Sequence, residues 1–106
     1  MTKESDLLKV IKDYLTIRGY ACYRLNNGAV FNARRGAWIF HGSKGVPDII
    51  AIKPGVRILY IEAKSPKGKQ TPDQVQFQER IKGIPYTAYV LARSISDIEK
   101  ELTMEA

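Results

Sequence analysis

Cysteine and histidine are almost missing from this chain, with one of each among 106 residues. Cys22 alone cannot form a disulfide within the chain, which suits a reducing compartment. A lone cysteine in an apolar stretch reads as a small buried hydrophobe. Only His41 could pair with it as a catalytic dyad, and no third polar group completes one. The same scarcity excludes a zinc site of ordinary spacing within one chain. Long apolar runs are also missing, and nothing approaches the roughly 20 residues of a membrane span. The start, Met1-Thr2-Lys3-Glu4-Ser5-Asp6, is polar and has no signal-peptide apolar run. These absences lead to the expectation of an intracellular, cytoplasmic protein with no membrane partner. Acids are also in the minority, 11 against 17 lysines and arginines, giving a net charge of +6. That excess favours an anionic partner, nucleic acid before an acidic membrane surface.

Hydrophobic residues make up 44% of the chain, enough for a packed core, and the length fits one domain over residues 1–106. No repeat, linker or low-complexity segment interrupts it. Residues 3–18 read as an amphipathic helix, with Leu7, Leu8, Ile11 and Leu15 at helical spacing, Thr2 as N-cap and Gly19 as the stop. Residues 20–25 read as a strand, and Asn26-Asn27-Gly28 as a turn. Residues 29–45 read as a glycine-rich loop carrying Arg34, Arg35, His41 and Lys44, with Trp38-Ile39-Phe40 as a candidate short strand. Such a loop is either a surface for nucleic acid or a solvated loop anchored by Trp38. Residues 46–53 and 56–64 read as two paired strands around the turn Lys53-Pro54-Gly55. Their nearly continuous apolar character predicts burial on both faces. Ser65 to Gln70 is a basic loop, and Thr71-Pro72-Asp73 opens a helix that ends near Lys82. Residues 85–92 read as a strand, and Ser94 or Ser96 caps a last helix to about Met104. The order α-β-β-β-α-β-α, with its final strand–helix–strand crossover, predicts a mixed α/β sheet with flanking helices.

On that scaffold stands a split acidic motif. Asp48 opens one apolar run in Val46-Pro47-Asp48-Ile49-Ile50. Glu62 and Lys64 close the next in Tyr60-Ile61-Glu62-Ala63-Lys64. Side chains alternate faces along a strand, so Glu62 and Lys64 point the same way. If the two runs pair, Asp48, Glu62 and Lys64 converge. Mg²⁺ prefers few carboxylates together with water and substrate oxygens, which Asp48 and Glu62 suit, and the Ala63 carbonyl could complete the set. Lys64 would neutralise a scissile phosphate or orient the attacking water. Glu4 lies on the apolar face of the first helix, three, four and seven positions before Leu7, Leu8 and Ile11. It either answers the helix dipole or reaches the sheet as an added ligand, directly or through water. Gln74, one turn into the second helix, is either an exposed helix residue or a group that orients Lys64 or the nucleophile.

These residues carry a resemblance. Gly45-Val46-Pro47-Asp48-Ile49-Ile50, Ile61-Glu62-Ala63-Lys64 and Pro66-Lys67-Gly68-Lys69-Gln70-Thr71-Pro72-Asp73-Gln74 resemble the PD-(D/E)xK nuclease superfamily and, within it, the VRR-NUC (virus-type replication-repair nuclease) domain. The resemblance implies a restriction-endonuclease-like core and a Mg²⁺- or Mn²⁺-dependent endodeoxyribonuclease, often directed to branched, flap or junction DNA. It implies Asp48 and Glu62 as metal ligands, Lys64 as the catalytic lysine, Glu4 as the additional acid and Gln74 as the characteristic glutamine. A stand-alone unit of the phage or bacterial type commonly dimerises. Arg34, Arg35, Lys44, Lys67 and Lys69 are the candidate DNA contacts. Two alternatives compete. One is a non-catalytic nucleic-acid-binding module on the same fold. The other is an unrelated role, as an RNase or a subunit of a protein complex.

Overall fold

The computed structural model describes residues 4–25, 29–40 and 45–104. The expected N-cap Thr2, the turn at 26–28, His41 and Lys44 lie outside the described residues. Helix α1 (Glu4–Ile17) leads into strand β1 (Ala21–Arg24). Strands β2 (Ala29–Asn32) and β3 (Ala37–Phe40) follow, then β4 (Ile49–Ile52) and β5 (Ile58–Ala63). Helix α2 (Pro72–Ile81), strand β6 (Thr87–Ala92) and helix α3 (Ile95–Thr103) complete the order. The main sheet runs β1-β4-β5-β6. β1 and β5 flank β4 antiparallel, and β6 joins β5 in parallel. This is the predicted mixed sheet, with α2 as the crossover that a parallel pair requires.

The two faces of the sheet differ. Ile49, Ala51, Leu59, Ile61, Ala63, Val90 and Ala92 share one face and are buried against Leu7, Leu8, Ile11 and Leu15 of α1 and Ile98 of α3. Each fully buried Ile or Leu contributes about 1.5–3 kcal/mol. The other face is covered by α2 through aromatic contacts, with Phe77 edge-on to Tyr60 at 5.5 Å between centroids and tilted on Tyr89 at 6.3 Å. The cover is partial, and Ile52 stays exposed. The continuous apolar run of β4 is therefore not buried on both faces as its composition predicts. Cys22 is half-buried beside the core, where burial pushes its thiol up, as suits an inert packing residue.

The stretch 29–45 departs most from expectation. It holds a hairpin, with β2 paired to β3 from Ala29↔Phe40 to Asn32↔Ala37 in a two-stranded sheet of its own. Glycine and arginine at its turn hide the strand signal. The backbone N–H of Arg35 donates to Asn32 Oδ1 at 3.1 Å, and Gly36 takes a left-handed φ of +61°. Arg34 and Arg35 thus sit exposed at a hairpin tip.

One glycine links the loop before Asp48 to α2. Gly45 has φ +83°, and a Cβ there would stand 2.3 Å from the Asp73 carbonyl oxygen. Only glycine lets the loop lie on the first turn of α2. Gly45→Ala is expected to lower stability by about 2 kcal/mol or more, from clash and backbone strain together. Gly55→Ala, with a similar φ of +79° and open space around it, is expected to cost only about 1 kcal/mol. Urea unfolding of the two variants checks the difference.

Candidate active site

Register brings the two acids of the split motif together. Ile49 pairs with Ile61 and Ile50 with Tyr60 across β4 and β5. One step further along the same ladder, Asp48 faces Glu62. Residues directly opposite on an antiparallel pair hold their Cβ atoms about 5 Å apart on one face. Asp48 stands just before β4 and is fixed twice. Its Oδ2 accepts the Ala63 N–H at 2.9 Å, and its carbonyl accepts the Leu25 N–H at 2.9 Å.

Glu62 is 3% exposed, and its Oε1 is buried with no hydrogen-bond partner. A buried carboxylate is costly to ionise, and here the pKa is pushed from an ordinary 4.5 up to about 8. Burial is the main cause, followed by a hydrogen bond with Asp48 and the charges of Asp48 and Glu4, with Lys64 pulling the other way. Without a metal, burial and the facing acid favour the protonated form of Glu62.

Lys64 is half-buried at the end of β5, where its N–H donates to the Ala92 carbonyl at 2.9 Å. Glu4, in the first turn of α1, reaches the same edge of the sheet, and its Oε1 accepts the Ser65 N–H at 3.2 Å. The apolar stripe of α1 therefore carries Glu4 to the loop that follows Lys64. Gln74 has a structural task. Its Oε1 accepts the Thr71 N–H at 2.8 Å, and its own N–H donates to Thr71 Oγ1 at 3.2 Å, a capping box at the start of α2. No hydrogen bond among the described residues joins it to Asp48, Glu62 or Lys64. Lys67 and Lys69 are carried on the loop between Lys64 and α2, and both are exposed. Arg34 and Arg35 sit apart on the hairpin, which leaves the sheet after β1 and returns before Asp48.

Among the described residues no group of three His, Cys, Asp or Glu side chains could by itself hold a metal ion. The available donors are the Asp48–Glu62 pair and the nearby backbone. They fit a hard divalent cation, since Mg²⁺ uses one or two carboxylates and fills its remaining positions with water and substrate oxygens. The unpartnered Oε1 of Glu62 is the group such a cation would satisfy.

Several residues around the site escaped the sequence. Tyr89 shares the acids' face, and burial raises its hydroxyl pKa, helped by the charges of Glu62 and Asp48. Gln70 donates to Tyr89 Oη at 3.2 Å and to Gln78 Oε1 at 3.1 Å, tying the basic loop to α2 and β6. Alternation along Tyr60-Ile61-Glu62 and Thr87-Ala88-Tyr89 was the signal that could have placed both tyrosines on this face. A groove lined by Gly55, Val56, Arg57, Tyr86 and Met104 lies at the other end of β5 and β6, remote from the acids. No helix among the described residues is long and apolar enough to cross a membrane.

Neither a protein-family model nor a curated protein matches this sequence. A solved structure described as a VRR_NUC domain does match, with a TM-score of 0.70 and 23% identity over 97% of each chain. The chain shares that domain's fold, a mixed four-stranded sheet with flanking helices.

The state of Glu62 has a measurable consequence. In EDTA the folded protein keeps the Glu62 proton up to about pH 8, whereas the unfolded chain, at the ordinary 4.5, releases it earlier. Between those values the folded state binds more protons, so this group's stabilising contribution falls as pH rises. Thermal unfolding in EDTA between about pH 5 and about pH 9 is expected to show a steeper decline for the wild type than for Glu62→Gln, which has no proton to lose.

Proposed function

We propose that this chain, which has the fold of a VRR_NUC domain, is a divalent-metal-dependent endonuclease that hydrolyses phosphodiester bonds in DNA. The observation that carries the proposal is the Asp48–Glu62 pair beside Lys64, on a chain of net charge +6, with Asp48 half-buried, Glu62 buried and one Glu62 oxygen left unpaired. A basic protein that opposes two acids, buries one and leaves one of its oxygens unpaired is arranged for a cation. When bound, Mg²⁺ or Mn²⁺ would polarise the phosphate and acidify the attacking water.

The chain's own residues do the rest. Asp48 and Glu62 would hold the cation, whose charge would take the place of the proton that burial favours on Glu62. The Ala63 N–H points toward Asp48, and in a strand the carbonyl of the same residue faces the same neighbour, so the Ala63 carbonyl would be a further ligand. Lys64 stabilises charge that develops on the phosphate oxygens and aligns the water. Glu4 adds negative charge at the edge of the site and holds the loop at Ser65. Gln74 fixes the start of α2, which carries the basic loop back over the site. Arg34, Arg35, Lys67 and Lys69 contact phosphates away from the scissile bond, and Lys44 joins them by its place in the sequence. One such site cuts one strand. Paired cuts in branched or junction DNA then require a twofold homodimer.

The test is a labelled panel of linear duplex, single-strand, flap and four-way-junction DNA, with Mg²⁺, Mn²⁺ or EDTA. Wild-type protein is expected to cut only with metal. Asp48→Ala, Glu62→Ala and Lys64→Ala are each expected to lose about 100-fold or more. DNA binding without cutting in every arm would instead support a non-catalytic binding module.

The hairpin tip makes a separate expectation. Arg34→Ala with Arg35→Ala should weaken DNA binding for every sequence tested. It should also reduce the salt slope of log K by about 2, because each arginine neutralises one phosphate. Titrations in EDTA at several salt concentrations would measure it.

A further inference from the structure

We infer that Arg93 is a positioning residue for Lys64, holding the 65–68 turn closed over the lysine's side chain. The kinetic consequence rests on the nuclease reading above, but the clamp itself does not.

Arg93 follows β6 directly. Its Nη1 donates to the Ser65 carbonyl at 2.7 Å, the Gly68 carbonyl at 2.7 Å and, more weakly, the Pro66 carbonyl at 3.3 Å. Three carbonyls of one short turn thus converge on a single cationic nitrogen. Their negative ends would repel one another without it, and hydrogen bonds from a charged donor are about twice as strong as neutral ones. The base of Arg93 is itself fixed, because its N–H donates to Asp97 Oδ2 at 2.8 Å at the start of α3. The turn is closed internally by one bond, from Gly68 N–H to the Ser65 carbonyl at 3.0 Å.

The same turn touches Lys64. A Cβ built on Gly68 would lie 3.0 Å from Ser65 Oγ and 3.5 Å from Lys64 Cδ. Gly68 therefore faces the Lys64 stem, with room for about one carbon between them. Parallel pairing sets this up, with Ala63 beside Ala92 and Lys64 N–H on the Ala92 carbonyl, so that Arg93 emerges alongside the turn. Arg93 touches no reacting atom. It acts by closing the turn, and the closed turn limits the rotamers that carry Lys64 Nζ. Misplacing a catalytic group by about 1 Å can cost 100-fold in rate.

The test uses the full chain with Arg93→Gln and Arg93→Lys, each first shown to be folded by thermal unfolding. Two arms are read. The first is independent of activity: amide exchange at Gly68 and carbon relaxation of the Lys64 side chain. In Arg93→Gln, Gly68 protection is expected to drop about tenfold and the Lys64 stem to become more mobile, with the lysines of α1, Lys9 and Lys12, unchanged. The second is metal-dependent cleavage, where kcat is expected to fall about 10- to 100-fold with KM, and DNA affinity in EDTA, within about twofold of wild type. Arg93→Lys keeps the charge without the planar fork and should recover part of both losses. Unchanged Lys64 mobility overturns the inference, as does a loss confined to KM, which would make Arg93 a DNA contact. If the wild type cuts nothing while Lys64 loosens in Arg93→Gln, the clamp stands and the nuclease reading falls.

Discussion

The hydrogen bond from the Ala63 N–H to Asp48 Oδ2 pins the end of β5 to the residue that enters β4. It completes the ladder begun by Ile49↔Ile61 and holds Asp48 opposite Glu62. Core and site depend on this one register. Leu59, Ile61 and Ala63 face α1 and α3, while Tyr60, Glu62 and Lys64 face the other way. A slip of one residue would turn Glu62 into the core and Ile61 toward the site. The apolar burial that stabilises the fold therefore also enforces the placement of the acids, and neither can shift alone.

The electrostatics are layered. Two acids face each other at the centre, Asp48 half-buried and Glu62 buried with an unpaired oxygen, and Lys64 is the cation that opposes the rise in the Glu62 pKa. The excess positive charge lies outward, on the 65–70 loop and on the hairpin tip. Acids alone would repel a phosphate backbone, so the outer cations and the inner acids act together only if a cation sits between the acids and the phosphate. The aromatic contacts of Tyr60, Phe77 and Tyr89 hold α2 over this face, and Gly45 allows the loop before Asp48 to rest on the first turn of that helix.

Much of the site was legible in the residues themselves. Asp48, Glu62 and Lys64 could be read because strand periodicity and a short hairpin turn put them at one end of adjacent strands. The Thr71 to Gln74 spacing was readable as a helix start, and in the structure that capping occupies Gln74 Oε1. The β2–β3 hairpin was legible only in part, because Gly36 and the arginines at its turn interrupt the alternation that marks a strand. Arg93 carried no signal at all. Its partners lie 25 to 28 positions away, at Ser65, Pro66 and Gly68. Glu4 lies still further from its partner, 61 positions before Ser65.

Residue order alone set most of the elements, the charge, and which residues could share a face, because helical and strand periods act over a few positions and need no distant partner. It also set the chemistry available, two carboxylates and a lysine at strand ends. Only the tertiary structure decided that Glu62 is buried with an unsatisfied oxygen, that Glu4 and Arg93 hold the loop after Lys64 from two sides, and that Arg34 and Arg35 stand on a separate hairpin. Burial and long-range hydrogen bonds are properties of packed elements. They arise when register and crossover bring distant segments together, and no local pattern encodes the outcome.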